Sequence, residues 1–192
     1  MPGSSLWLLL PASHPLSAVL PPLIQQTAAR FNSPHTFIPH VTLTSEIDPS
    51  VYSSDPQAWL SSLKFPSRED VRVKLGKLES QDVFFKKLHS RVEKEGVKEA
   101  GRVARSAVDG FGEEAKAREW VEGEWMPHLS LLYHDCPKVD EKGLAEIEKF
   151  VRNAGVNLEG EGELGGWVGG RVVLVPTDKP IKEWAPIAER EL

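Results

Sequence analysis

Apolar residues fall along this chain in two kinds of pattern, and the two alternate. Leu6–Leu10 is a continuous apolar run closed by Pro11, which predicts a buried first strand. From Pro15 to Phe31 the apolar positions Leu16, Val19, Leu20, Leu23 and Ile24 recur at helical spacing, with Pro21-Pro22 expected to break or restart the helix. Phe37–Thr44 reads as a strand. Asp55-Pro56 then starts a helix that ends near Leu63, Asp as cap and Pro in the first turn. Val71, Val73 and Leu75 alternate with Arg72 and Lys74 as a half-buried strand, and a weaker β segment covers Val83–Val92. Val97, Ala100, Val103, Ala104, Ala107 and Val108 form a helical stripe ending near Gly110. Trp125–Tyr133 is a strand, Asp140 caps a helix with Leu144, Ile147, Phe150 and Val151 inside, and Gly155 lies beyond its end. Val172–Val175 is a fully apolar strand, and Trp184–Glu189 a short last one. Strands and helices interleaved in this way predict an α+β fold.

Two of these strands carry one pattern. Pro39-His40-Val41-Thr42-Leu43 returns as Pro127-His128-Leu129-Ser130-Leu131, once in each half of the chain. Side chains alternate faces along a strand, so His40 and Thr42 point one way while Val41 and Leu43 point into a core. His128 and Ser130 do the same against Leu129 and Leu131. The expectation is two matching polar edges facing each other across two similar lobes, residues 1–192 forming one domain.

Composition narrows the ligand. A formal net charge of −5 over 192 residues, with no basic stripe, gives no general attraction to long nucleic acid, so a phosphate-bearing ligand should be small. Cys136 is the only cysteine, which excludes an internal disulfide framework and fits a reducing compartment. Leu6–Leu10 is too short for a signal-peptide core or a membrane span, which makes cytoplasm the default location with no membrane partner. Gly160–Gly170 lacks the Lys-Ser/Thr ending of a phosphate loop and reads as a flexible turn.

Two histidines on opposite sides of one phosphorus provide what in-line hydrolysis of a phosphodiester needs, a base beside the water and an acid behind the leaving oxygen. Thr42 and Ser130 can donate to the non-bridging oxygens. A diester carries a single negative charge, so no metal or other cofactor is expected. The other histidines have blander readings. His14 and His35 adjoin prolines in loops at the surface, and His89 lies on the solvated face of a polar strand. His134-Asp135-Cys136 has no zinc spacing.

The paired motifs, with Leu132-Tyr133 trailing the second, resemble the signature of the two-histidine (2H) phosphoesterases, and within them the plant and fungal cyclic phosphodiesterases. Ser5-Leu6-Trp7 before Pro11 resembles the family's first strand, Val83-Phe84-Phe85 its aromatic mid-chain strand, and Arg171–Ala188 its terminal hairpin. The resemblance implies a bilobal fold, two antiparallel sheets with outer helices and a central cleft. It implies His40 and His128 as the acid–base pair and Thr42 and Ser130 as the phosphate-holding residues. Tyr133 would line the cleft, while Trp7 and Phe84 would flank a base or ribose, or simply pack in the core. The implied reactions are hydrolysis of ADP-ribose 1″,2″-cyclic phosphate and of nucleoside 2′,3′-cyclic phosphates to 2′-phosphates, linked to tRNA splicing, by a monomer. Gly101–Trp120 matches nothing in the family and is expected as a helix plus a mobile cover loop. Two other readings keep the site: an enzyme of RNA ends, such as a 2′-5′ ligase or exonuclease, and a non-catalytic module that binds cyclic phosphates.

Overall fold

A computed structural model describes residues 3–192, and within them the strands form one mixed-length antiparallel sheet. Among the described residues eight strands and five α-helices follow one another: β1 Ser4–Leu9, α1 Leu16–Arg30, β2 Val41–Ile47, α2 Pro56–Ser62, β3 Arg72–Glu79, β4 Leu88–Val92, α3 Lys98–Arg105, α4 Glu114–Gly123, β5 His128–Leu132, α5 Glu141–Asn153, β6 Gly166–Val168, β7 Arg171–Pro176 and β8 Ala188–Glu191. Their order across the sheet is β6-β3-β4-β5-β2-β1-β7-β8. The two sheets expected from the sequence are thus the two ends of a single one. A lone pairing of Val41 with Leu129 joins β2 to β5 at its middle, and both flanking residues of that pair belong to the motifs. The α+β class stands.

Apolar alternation sets which way each strand faces. Leu6 and Leu8 of β1, Val172 and Leu174 of β7 and Leu129 and Leu131 of β5 join the main core with the helices. Trp7, Leu9, Val173 and Val175 point to the opposite face and form a second, small cluster against Trp184.

Helix α1 runs unbroken through Pro21 and Pro22. Leu16, Leu20, Leu23 and Ile24 are buried on its inner side while both prolines are exposed. Four buried aliphatics at ~1.5–3 kcal/mol each match or exceed two interior prolines at ~3 kcal/mol each. Both aspartate caps form, Asp55 accepting from the Ala58 N–H and Asp140 from the Gly143 N–H, each at 2.8 Å. No helix among the described residues is long and apolar enough to cross a membrane.

Further stretches differ from expectation, among them β2, which begins at Val41 and not at Phe37. Val83–Val92 is not one strand, because Phe84–Lys86 is a 3-10 turn before β4. The last strand starts later, at Ala188, since Ile181–Glu183 turns and Trp184 caps it. Gly160–Gly170 contains β6, which pairs with β3, and a side chain on Gly166 would meet the Val73 carbonyl oxygen at 1.9 Å. Gly101–Trp120 holds parts of two helices, α3 and α4, with the Arg105 guanidinium 3.9 Å from the centre of the Phe111 ring and 4.4 Å from that of Trp120. Residues 106–113, which join the two helices, are neither helix nor strand.

Candidate active site

The site sits where β2 meets β5. Stepping one residue along an antiparallel strand steps one back on its partner, so the Val41–Leu129 pair sets His40 across from Ser130 and Thr42 across from His128. Alternation then puts all four side chains on one face. The polar edges do not confront each other across two lobes. They lie side by side as a square, each histidine opposite the other motif's hydroxyl.

Both rings are held alike. The Nδ1–H of His40 donates to the Ile38 carbonyl at 2.6 Å, and that of His128 to the Met126 carbonyl at 2.9 Å, each two residues upstream. A carbonyl can only accept, so Nδ1 carries the proton and Nε2 carries the free lone pair. Pro39 and Pro127 stand inside these two short loops and hold them extended. Trp7, directly beside Thr42 on β1, stacks on His40 with centroids 3.8 Å apart and planes 10° apart. The Tyr133 hydroxyl points at His40 Nε2 from 3.4 Å.

Burial governs the charges. It lowers His40 to about 4, the bond to Ile38 pulling the other way. His128 falls to about 3, mainly by burial, with the bond to Met126 pulling the other way and repulsion from Lys86, and from His89 or His40 when protonated, adding to the fall. Burial also pushes the Tyr133 phenol up, so it remains a donor. Thr42 has its hydroxyl free of partners among the described residues, whereas the Ser130 hydroxyl donates to the Phe85 carbonyl at 2.9 Å. Ser130 must turn from that carbonyl to serve a ligand.

Aromatic rings wall the square. Phe37 stacks on Tyr133 at 3.7 Å, Phe85 meets Tyr133 edge-on at 5.2 Å, and Trp184 lies within 6 Å of both Trp7 and Phe85. Phe84 contacts Phe85 and His35. A groove of about 830 Å³ opens beside His40, bounded by Trp7, Phe37, Pro39 and Trp184 and by α1 at Pro21 and Pro22. That volume suits a nucleoside-sized ligand.

A sequence model of the cyclic phosphodiesterase-like proteins matches residues 1–192. The chain belongs to that family. It is 58% identical over its whole length to the whole of a 2′,3′-cyclic-nucleotide 3′-phosphodiesterase of Phaeosphaeria nodorum. It is 44% identical, again over the whole of both chains, to one of Neurospora crassa, and 29% identical to one of Yarrowia lipolytica over 98% of this chain and 99% of the relative.

In this cyclic phosphodiesterase-like protein the structure brings Trp7, His40, Thr42, His128, Ser130 and Tyr133 to one place. Phe84 stands one residue further out, on the turn before β4, with Phe85 between it and Trp184. The structure overturns the reading of His89. That ring is 2% exposed, lies across from Ser130 on β4, and is 5.1 Å from the His128 ring. The polar alternation around it belongs to the site and not to a solvated face. Phe37 and Trp184 were equally open to discovery, as bulky aromatics near each motif or terminal hairpin, yet nothing in the sequence says which loop ring meets which strand. His134 uses both nitrogens internally, on the Phe31 carbonyl and the Asp135 N–H.

Proposed function

We propose that this chain is a hydrolase of cyclic nucleotides that opens nucleoside 2′,3′-cyclic phosphates to 2′-phosphates with His40 and His128 as its acid–base pair. The observation that carries this reading is the square, two imidazoles with Nδ1–H bound to carbonyls and Nε2 carrying the lone pair, beside two hydroxyls on one sheet face. The lone pair of His40 is met by the Tyr133 hydroxyl at 3.4 Å. The names of the family and of the fungal relatives support the substrate class. One Nε2 takes the proton of the attacking water as its oxygen bonds to phosphorus. The other, protonated, gives its proton to the 3′-oxygen as the P–O3′ bond breaks. Thr42 and Ser130 donate to the non-bridging oxygens, where charge grows. The pair titrates as a unit, so neither histidine is assigned as base.

Burial keeps both rings neutral at rest, and the anionic substrate raises their proton affinity, which makes the charged acid available when it is needed. The reading assigns no metal, because a diester monoanion is within the reach of neutral donors and an imidazolium. Among the described residues no three His, Cys, Asp or Glu side chains gather as a metal site. ADP-ribose 1″,2″-cyclic phosphate presents the same five-membered cyclic diester and is the second substrate, which ties the enzyme to the products of tRNA splicing.

Incubation with uridine 2′,3′-cyclic phosphate in excess EDTA, with the products resolved by phosphorus NMR, tests the reading. Uridine 2′-phosphate should form at the rate seen without chelator. Formation of the 3′-phosphate, or loss of turnover that zinc restores, would contradict it.

A further inference from the structure

Titration does not separate His40 from His128, but their surroundings do. An attacking water has two protons. One passes to the base, and the other must be accepted elsewhere if a lone pair is to face phosphorus. The leaving oxygen gains charge and needs donors instead. The two ends of the square differ in this respect. At His40 the companion is a phenol, the Tyr133 hydroxyl pointing at Nε2 from 3.4 Å, and burial keeps that phenol protonated. At His128 the companion is a second imidazole. His89 lies across from Ser130 on β4 and is 2% exposed, its ring edge-on to that of His128 with centroids 5.1 Å apart and planes at 68°. The Nδ1–H of His89 donates to the Lys86 carbonyl at 3.1 Å, so Nε2 carries the lone pair. That nitrogen has no protein partner among the described residues, yet it is not one of the buried nitrogens left without a partner, so it borders open space.

Anchoring explains only one of the two nitrogens of His89. The Phe84–Lys86 turn presents two successive carbonyls, Phe85 to the Ser130 hydroxyl at 2.9 Å and Lys86 to His89. Tying His89 to that turn takes Nδ1 alone, and an asparagine amide reaches as far. The Met126, Phe85 and Lys86 carbonyls each already accept a side-chain bond, which leaves His89 Nε2 as the open acceptor beside His128. We propose that His89 holds the attacking water, its Nε2 accepting the proton that His128 does not take, so that His128 is the base and His40 the acid. The water gives one proton to His128 Nε2 as its oxygen bonds to phosphorus. It keeps the other, held by His89, as the P–OH of the product. His40, protonated at Nε2, gives that proton to the 3′-oxygen as the P–O3′ bond breaks. A protonated Nε2 no longer accepts from Tyr133, which frees the phenol to donate to the same leaving oxygen.

The role of His89 rests on the proposed hydrolysis of cyclic nucleotides, and wild type beside its variants keeps the two apart. Uridine 2′,3′-cyclic phosphate is compared with its analogue carrying sulfur at the 3′ bridging position, whose thiolate leaves without needing a proton. Values of kcat and KM are measured on both for wild type, His40→Ala, His128→Ala, His89→Asn and His89→Gln. Asparagine keeps a donor for the Lys86 carbonyl but has nothing at the place of Nε2, whereas glutamine extends an amide oxygen toward it. His89→Asn should lose roughly tenfold to 10²-fold in kcat with KM little changed, as for a misplaced nucleophile, and His89→Gln should recover most of it. On the sulfur substrate His40→Ala should regain most of its loss, while His128→Ala and His89→Asn stay impaired. The ratio of the two substrates on one preparation does not depend on how much of a variant is folded. His89→Asn as active as wild type, or His89→Gln no better than His89→Asn, would reduce His89 to an anchor of the turn and leave the hydrolase reading standing. Recovery of His128→Ala in place of His40→Ala would put the water at the other end and overturn the role of His89 as well. Wild type that opens neither substrate would overturn the hydrolase reading, and the role of His89 with it.

Discussion

A histidine that gives its Nδ1–H to a carbonyl has one nitrogen left for chemistry, and burial decides whether that nitrogen is charged. His40 drops from 6.5 to about 4 and His128 to about 3, burial being the first cause in both. Unfolding returns each ring toward 6.5. Between that value and the folded one the unfolded chain binds more protons, so stability is lost as pH falls through this window. The urea midpoint should therefore drop from pH 7 to pH 5, a range in which most carboxylates stay ionised. His40→Asn, which can still bond Ile38 but cannot titrate, should show a smaller drop. Equal drops would mean that buried neutral His40 is not a source of acid lability. The hydroxyls make a second case. The Thr42 hydroxyl has no competing partner among the described residues, so Thr42→Ala should raise the barrier by about 2–4 kcal/mol, read from kcat/KM, and Thr42→Ser by much less. Full activity in Thr42→Ala would remove it from phosphate binding. His40, Thr42, His128 and Ser130 were legible because period-two alternation fixes their face. His89 was not, since its burial comes from being beside β5, and sequence periodicity cannot tell which strand is a neighbour.

At the scale of elements, capped helices and apolar strands were readable, and edges were not. Asp55 and Asp140 cap as their spacing predicts. The prolines of α1 misled because the pattern does not show that they face solvent while four aliphatics anchor the inner side. β6 was hidden in a glycine-rich tract whose small residues permit close approach to β3. The α3–α4 pair packs against β2 in the main core. Arg105, 7% exposed, lies over Phe111 and Trp120 and reaches Thr44 at 3.4 Å. Arg105→Ala removes the guanidinium from both rings and should cost about 1–3 kcal/mol of stability. Lysine should recover only part of it, because it lacks the planar face. The check is the denaturant midpoint of the three proteins, and an unchanged midpoint in Arg105→Ala would deny that contribution.

Across the whole molecule, one narrow join carries the chemistry. Four strands on each side of the β2–β5 seam bring together motifs that begin at positions 39 and 127, and the seam itself is a single paired step. The sequence announces two matching motifs, but not that one sheet holds them side by side, because a repeated pattern specifies each strand's faces and leaves the pairing open. If the seam builds an acid–base pair, removing either ring must remove one proton transfer. Turnover of uridine 2′,3′-cyclic phosphate by wild type, His40→Ala and His128→Ala, in excess EDTA and with near-UV circular dichroism as the test of folding, measures this most directly. Each variant should keep the wild-type spectrum in outline and lose roughly 10²–10⁴-fold or more in kcat. A folded variant of either kind within tenfold of wild type would contradict the two-histidine mechanism.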